Sequence, residues 1–153
     1  MNIEIERKFL VNESKLILPQ NKKIIKQAYL FSNSDQAFRV RIIDNQSFVT
    51  YKHRKSKLNS YEFEYSIPKD DAEKLIQLSN DHIILKDRYY EPMGKHTWEI
   101  DVFYGENKGL IIAEIELKDE REQIELPDWI DREISEEKKY FNFNLSKKPF
   151  SKW

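Results

Sequence analysis

The chain has 153 residues and 35% of them are charged, yet 27 acids against 26 lysines and arginines leave a formal net charge of only −1. That balance excludes the broad basic field of a general nucleic-acid binder, and zero cysteines exclude disulfides, a thiol nucleophile and thiolate metal sites. No apolar run approaches the roughly 20 residues of a membrane span and Met1-Asn2-Ile3-Glu4 is too acidic for a signal peptide, so the expectation is a cytoplasmic protein with neither nucleic-acid nor membrane partner, folded as a single domain over 1–153.

In chain order, strands are expected near 2–11, 24–31, 36–44, 47–54, 60–67, 83–90, 96–104 and 110–118, each an alternation of apolar and polar residues. All three glycines (Gly94, Gly105, Gly109) fall between these segments, where turns need them. Asn12 to Leu18 reads as a short helix ended by Pro19. Asp70 to Leu78 reads as a firmer one, following Pro68, with an Asp-x-x-Glu capping pattern and an apolar face of Ala72, Leu75, Ile76 and Leu78. Ser135 is expected to cap a last helix from Glu136 to about Phe143. Asp44-Asn45-Gln46-Ser47 reads as a tight hairpin turn; with Asn45-Gln46 as the loop, Arg39 stands opposite Lys52. Across the second hairpin, residue 104 facing 111 sets Asp101 opposite Glu114 and Glu99 opposite Glu116.

The alternation carries more than secondary structure. Ile3-Glu4-Ile5-Glu6, Tyr61-Glu62-Phe63-Glu64-Tyr65, Trp98-Glu99-Ile100-Asp101-Val102 and Ala113-Glu114-Ile115-Glu116-Leu117 each place carboxylates on one strand face and hydrocarbon on the other. Arg39 and Arg41, Lys52 and Arg54, and Lys86 and Arg88 repeat that spacing with positive charge. Like charges opposed across strands destabilise a sheet by up to about 1 kcal/mol, so a surface optimised for stability alone would interleave the signs. Gathering cations in one place and carboxylates in another suits a site where an anion and a metal ion fill the gaps. Eight mainly antiparallel strands with few helices imply a closed barrel, whose lumen holds side chains or one small ligand. With the charged face inward, the apolar face is covered from outside by helices and loops, and the lumen holds water, ions and an ionic ligand.

Glu4-Ile5-Glu6-Arg7-Lys8-Phe9-Leu10-Val11 resembles the amino-terminal ExExK signature of the CYTH domain, the triphosphate tunnel metalloenzymes. The resemblance continues in family order through Gln27-Ala28-Tyr29-Leu30, Arg39-Val40-Arg41, Thr50-Tyr51-Lys52, Glu62-Phe63-Glu64-Tyr65, Ile84 to Tyr89, Trp98 to Phe103, Ile112 to Leu117 and Glu137 to Asn142. It implies a mainly β (α+β) fold: an eight-stranded antiparallel β-barrel tunnel with a charged lumen, a few helices packed outside and a C-terminal helix plugging one mouth. Within the family the chain is most similar to the short bacterial branch, which implies divalent-metal-dependent hydrolysis of inorganic triphosphate to pyrophosphate and phosphate. Ser60 departs from that branch, where arginine often stands; Arg54, on the same face as Lys52, is the available substitute.

Mg2+ or Mn2+ takes hard oxygen ligands, so Glu4, Glu6, Glu114 and Glu116 are the expected first metal cluster, with Glu62, Glu64 and Asp101 as further or outer ligands. Lys8, Arg39, Arg41, Lys52, Arg54, Lys86 and Arg88 are expected to hold phosphate oxygens. The catalytic set is Glu4, Glu6, Lys8 and Tyr29, the last matching a family tunnel tyrosine that contacts Lys8 or phosphate. The rival activities are hydrolysis or cyclisation of a nucleotide or organic triphosphate (nucleoside-triphosphatase, thiamine triphosphatase, class IV adenylate cyclase), or binding of polyphosphate without catalysis. Phe150 and Trp153 leave two readings of the tail open, a docked terminus or a homodimer contact.

Overall fold

A computed structural model describes residues 2–153. Eight strands form where alternation placed them: β1 (Ile3–Val11), β2 (Lys22–Ser32), β3 (Gln36–Ile43), β4 (Gln46–Arg54), β5 (Asn59–Ser66), β6 (Ile84–Met93), β7 (His96–Tyr104) and β8 (Ile111–Leu117). Every pairing is antiparallel, in the order β5-β4-β3-β2-β6-β7-β8-β1, and Ile3 to Ile5 of β1 pair with β5 to close the barrel. A ninth strand, β9 (Ile130–Glu133), was not expected; it pairs with the far half of β1 outside the closed barrel. β1 thus shares one edge between two partners, β5 early and β9 late.

The two faces of the wall segregate as charge requires. Outside, Phe9, Trp98, Ile100, Ala113, Ile115 and Leu117 pack beneath Trp129, Leu16 and Ile124 of the flanking loops. Trp129 sets its ring edge-on to Trp98 at 5.5 Å, fixing the loop that precedes β9. A second outer patch, Ala28, Val40 and Ile42, is covered by Ala72 and Ile76 of α1 (Lys69–Leu78). Inside, one end of the lumen is apolar: Leu10, Ile84, Phe103 and Ile112 meet Tyr140 and Leu145 of the C-terminal segment, which includes α2 (Asn142–Lys147). That segment is the plug. No helix among the described residues is long and apolar enough to cross a membrane.

Several local expectations need correction. Residues 13–18 form a single turn and no helix, because the Asn12 side chain accepts from Ser14 N at 3.1 Å and its carbonyl closes the turn with Leu16 N. α1 begins at Lys69 with Pro68 at its N-cap and makes no side-chain cap bond, so Asp70 falls within the first turn, where its charge still suits the helix dipole. Ser135 does not cap a helix: its hydroxyl accepts from Lys8 N and donates to Glu133, and α2 starts only at Asn142. The tail docks on its own chain, with Trp153 edge-on to Tyr140 and Phe150 at 5.1 and 5.0 Å.

Both hairpin registers differ from expectation by two residues. Asp44 takes a φ of 51°, and the loop is Asp44-Asn45, so Arg39 faces Thr50 and not Lys52. In the second hairpin a 3-10 turn over Gly105–Asn107 follows β7 and Val102 faces Ile111, so Glu99 faces Glu114 and Asp101 faces Ile112. A two-residue shift keeps every side chain on its expected face while changing its neighbours.

Because α1 packs only on the outside, Ile76→Ala should lower unfolding free energy by about 2–4 kcal/mol and leave activity per folded molecule unchanged. Urea denaturation beside an activity assay checks this; a matching loss of turnover in folded protein would show that α1 reaches the lumen.

Candidate active site in the charged lumen

The lumen-facing residues of β1 to β8 enclose a cavity of about 300 Å³. Eight acids and eight lysines or arginines line it, so the lining carries no large excess of either sign before any ligand enters. Every expected cation of the set (Lys8, Arg39, Arg41, Lys52, Arg54, Lys86, Arg88) is there, with Glu4, Glu6, Glu62, Glu64, Glu114, Glu116 and Tyr29. Asp101 is the exception. It is fully buried behind the lining, directly opposite Arg88.

The signs are interleaved more than expected, because strand register sets Lys8 opposite Glu114, Lys52 opposite Glu62 and Arg88 opposite Asp101. Lys8 Nζ donates to Glu114 at 2.7 Å and lies 3.4 Å from Glu6. Lys52 Nζ donates to Glu4 at 2.8 Å and reaches Glu6 and Glu62 at 3.4 and 3.6 Å. Burial opposes charge on both lysines, yet the surrounding carboxylates win and hold each ammonium above its ordinary range. Glu6 shows the converse: burial raises its carboxyl, and Lys52 and Lys8 pull it below the usual value.

Asp101 explains itself by its neighbours. Its carboxylate takes Arg88 Nε and Nη2 at 2.8 and 2.9 Å and Lys86 Nζ at 2.8 Å. Burial alone would raise its carboxyl; these two cations hold it at about 2. With both oxygens committed and no face on the cavity, it anchors the cations and does not present itself as a metal ligand. Lys86 is pushed down to about 7, chiefly by burial; Asp101 opposes the fall but is shared with Arg88, and Arg88 and Arg41 add positive charge.

Two corners keep like charges together. Glu6 faces Glu116 and Glu99 faces Glu114 across strands. Glu116 is raised by burial, then by Glu4, Glu99 and Glu6, with Lys52 the opposing cation. Such crowding of hard oxygen donors fits a divalent cation. The expected four-carboxylate cluster is nonetheless not assembled: no three acids or histidines among the described residues form a ready cation site, and Lys8 stands between Glu6 and Glu114. The opposite corner holds Arg39, Arg41 and Tyr29. Arg39 approaches Glu64 at 3.6 Å and keeps a buried Nε without a hydrogen-bond partner, an open donor of the kind a phosphate oxygen fills.

Around these lie residues the sequence reading did not assign to the site. Thr50 donates to Glu64 at 2.9 Å. Gln27 and Asn142 bond to Arg41 and Lys86. Phe141 of the plug lies beneath Arg54 at 4.7 Å and Lys8 at 5.8 Å. Glu99 lines the cavity and pairs with Arg88 at 3.0 Å. Tyr29 bonds neither to Lys8 nor to any carboxylate among the described residues; its hydroxyl accepts from Gln27 at 3.2 Å. Arg54 faces Ser60, as a substitute would, but its guanidinium is turned to the carbonyls of Ser56 and Lys57.

A sequence model of the family described as CYTH domain matches residues 2–149. A protein of Acetivibrio thermocellus described as an inorganic triphosphatase is 38% identical over 151 residues, covering 98% of this chain and 97% of its own length. One from Nitrosomonas europaea with the same description is 31% identical over 151 residues, at 94% and 96% coverage. A crystal structure of an inorganic triphosphatase matches this fold with a TM-score of 0.69 at 28% identity, covering 94% of this chain and 93% of that one.

Asp101 carries the clearest pH signature. Its folded pKa of about 2 lies below the ordinary carboxylate value of about 3.9, so its stabilisation is full above pH 4 and fades as pH falls toward 2. Asp101→Asn should cost about 3–5 kcal/mol at pH 7, since it strands Lys86 without a counterion and leaves Arg88 to Glu99. Denaturation curves should show the gap to wild type narrowing between pH 4 and 2; a pH-independent gap would contradict the pairing.

Proposed function

The chain belongs to the CYTH domain family, and from that premise we propose that it hydrolyses inorganic triphosphate to pyrophosphate and phosphate inside the barrel, using Mg2+ or Mn2+. The observation that carries this reading is the enclosed cavity with acids and cations in equal number. A triphosphate polyanion entering such a lining needs added positive charge, and divalent cations brought with it supply that. The crowded carboxylates Glu4, Glu6 and Glu116 are the residues we assign to hold the metal, with Glu62, Glu64 and Glu114 outside them as counter-charges that space the cations. When bound, the metal neutralises phosphate oxygens and lowers the pKa of its water.

The protein side chains do the remaining work. Arg39, Arg41 and Arg88, with Lys8, Lys52 and Lys86, hold phosphate oxygens in a fixed row, and Arg54 serves the rim. Phosphoryl transfer needs such placement and charge neutralisation more than covalent chemistry. Glu4 and Glu6 would orient a water so that its oxygen bonds to a terminal phosphorus as the P–O bond to the departing pyrophosphate breaks; the water's proton passes to a carboxylate of that corner, and no protein-phosphate intermediate forms. The cation row stabilises the charge that builds on pyrophosphate as it leaves.

The aromatic rings of the lining favour the inorganic substrate over a nucleotide. Tyr29 and Phe141 are buried, Phe141 carries Arg54 on its face, and Phe143 packs against both Tyr29 and Phe141. None is left open to stack a base. The enzyme is expected to work in the cytoplasm on this small-molecule substrate.

Phosphate release from triphosphate, ATP and thiamine triphosphate with Mg2+ or Mn2+ tests the reading. Triphosphate should turn over fastest, chelation should abolish it, and Glu4→Ala and Glu6→Ala should each lower kcat about 100-fold or more. Full activity in both variants, or activity surviving chelation, would refute the metal assignment; faster turnover of ATP would refute the substrate.

A further inference from the structure

Resting on the triphosphatase reading of the cavity, we propose that Gln27 is a positioning residue for substrate: a neutral amide that aims Arg41 into the cavity while leaving its positive charge uncompensated. The side chain is fully buried on the lumen face of β2, directly opposite Arg41 on β3. Its Oε1 accepts from Arg41 Nε at 2.8 Å. Its Nε2 donates to the Tyr29 hydroxyl at 3.2 Å and to Asn142 Oδ1 at 3.5 Å, and the same Asn142 oxygen accepts from Lys86 Nζ at 3.0 Å. The amide has one orientation that satisfies this network, because arginine and lysine only donate.

What sets Arg41 apart is the lack of a carboxylate. Arg39, Lys8, Lys52, Lys86 and Arg88 each pair with at least one acid. Arg54 has none, but it spends its guanidinium on loop carbonyls. Arg41 forms no ion pair among the described residues, and Nε is its one hydrogen-bonded nitrogen. Both terminal nitrogens are therefore left for a ligand, in the paired geometry that suits phosphate. Burial, then the neighbouring Arg39 and Arg88, pushes this guanidinium down to about 10, as an uncompensated buried cation requires.

Arg88 is the internal comparison. It too is gripped at Nε, but by the Asp101 carboxylate, which also takes Nη2. A glutamate at position 27 could grip Arg41 in the same manner and cancel its charge. Glutamine gives the hydrogen bond without the cancellation. Held through Nε alone, Arg41 is fixed in direction at little loss of attraction for an anion. The link through Asn142 also ties this wall of the cavity to the plug, so Arg41 and Lys86 are set by one pair of amides.

The test is a comparison of Gln27→Glu, Gln27→Met, Arg41→Gln and the double variant Gln27→Met/Arg41→Gln in triphosphate hydrolysis and in calorimetric binding of triphosphate. Gln27→Glu, which pairs Arg41 with a carboxylate, should raise KM and Kd at least tenfold. Gln27→Met, which loses the grip and keeps the charge, should raise KM less, and should change it less than twofold when Arg41 is already glutamine. Wild-type KM in either glutamine variant, or a Gln27→Met effect undiminished in the Arg41→Gln background, would overturn the proposal while leaving the triphosphatase reading intact. Should Gln27→Glu fail to fold, Gln27→Met and the double variant decide the matter alone. Wild-type protein that neither binds nor hydrolyses triphosphate would instead refute the reading of the cavity.

Discussion

A closed barrel with its charged faces turned inward is the constraint from which the other features follow. Closure of β1 on β5 removes the sheet edge and commits alternate residues of eight strands to a shared lumen. The apolar faces then have to be covered from outside, which is what α1, the Trp129 loop and the N-terminal turn residue Leu16 do. An ordinary domain places hydrocarbon inside and lets charge meet bulk water. Here the outer cover and the apolar plug end supply the hydrophobic stabilisation, and the rest of the lumen is freed for ionic chemistry.

Such a lumen folds because the signs compensate one another. Lys8 with Glu114, Lys52 with Glu4 and Arg88 with Asp101 each place one charge against its opposite at hydrogen-bond distance. These pairs are not there mainly for net stability, since desolvation offsets much of a buried pair's attraction. They hold long side chains in fixed positions around the cavity. Compensation is weakest at Glu116, which crowds Glu6 and suits a cation, and at Arg41, which pairs with no acid among the described residues and suits an anion. On the proposed function, a polyphosphate with its metal would span the two.

The strands were legible because period-two alternation is strong when one face is ionic and the other hydrocarbon; all eight fall within about two residues of their expected ends, the longer end of β6 apart. Register was not legible at the same precision. It depended on whether Asp44 could take a positive φ and on a 3-10 turn after Tyr104, and neither is encoded in the strand pattern. Asp101 stands opposite Ile112 on β8 and Arg88 on β6, and its bonds to Arg88 and Lys86 make it an anchor where the pattern suggested a ligand. β9 carries a single apolar residue in four and is a strand only because the free edge of β1 accepts it. Gln27 is invisible to the charge pattern because it is neutral, although it lies two residues before Tyr29 and so shares its face; the signal for it is an uncharged polar residue at a lumen position of the alternation.

The most direct test of the inward-facing site is diffraction from crystals soaked with Mn2+ and a slowly hydrolysed triphosphate analogue, read at the manganese absorption edge. An anomalous peak is expected inside the barrel within coordination distance of Glu4, Glu6 or Glu116, with phosphate density extending toward Arg39 and Arg41. Manganese bound only on the outer surface, with the lumen holding water alone, would contradict it.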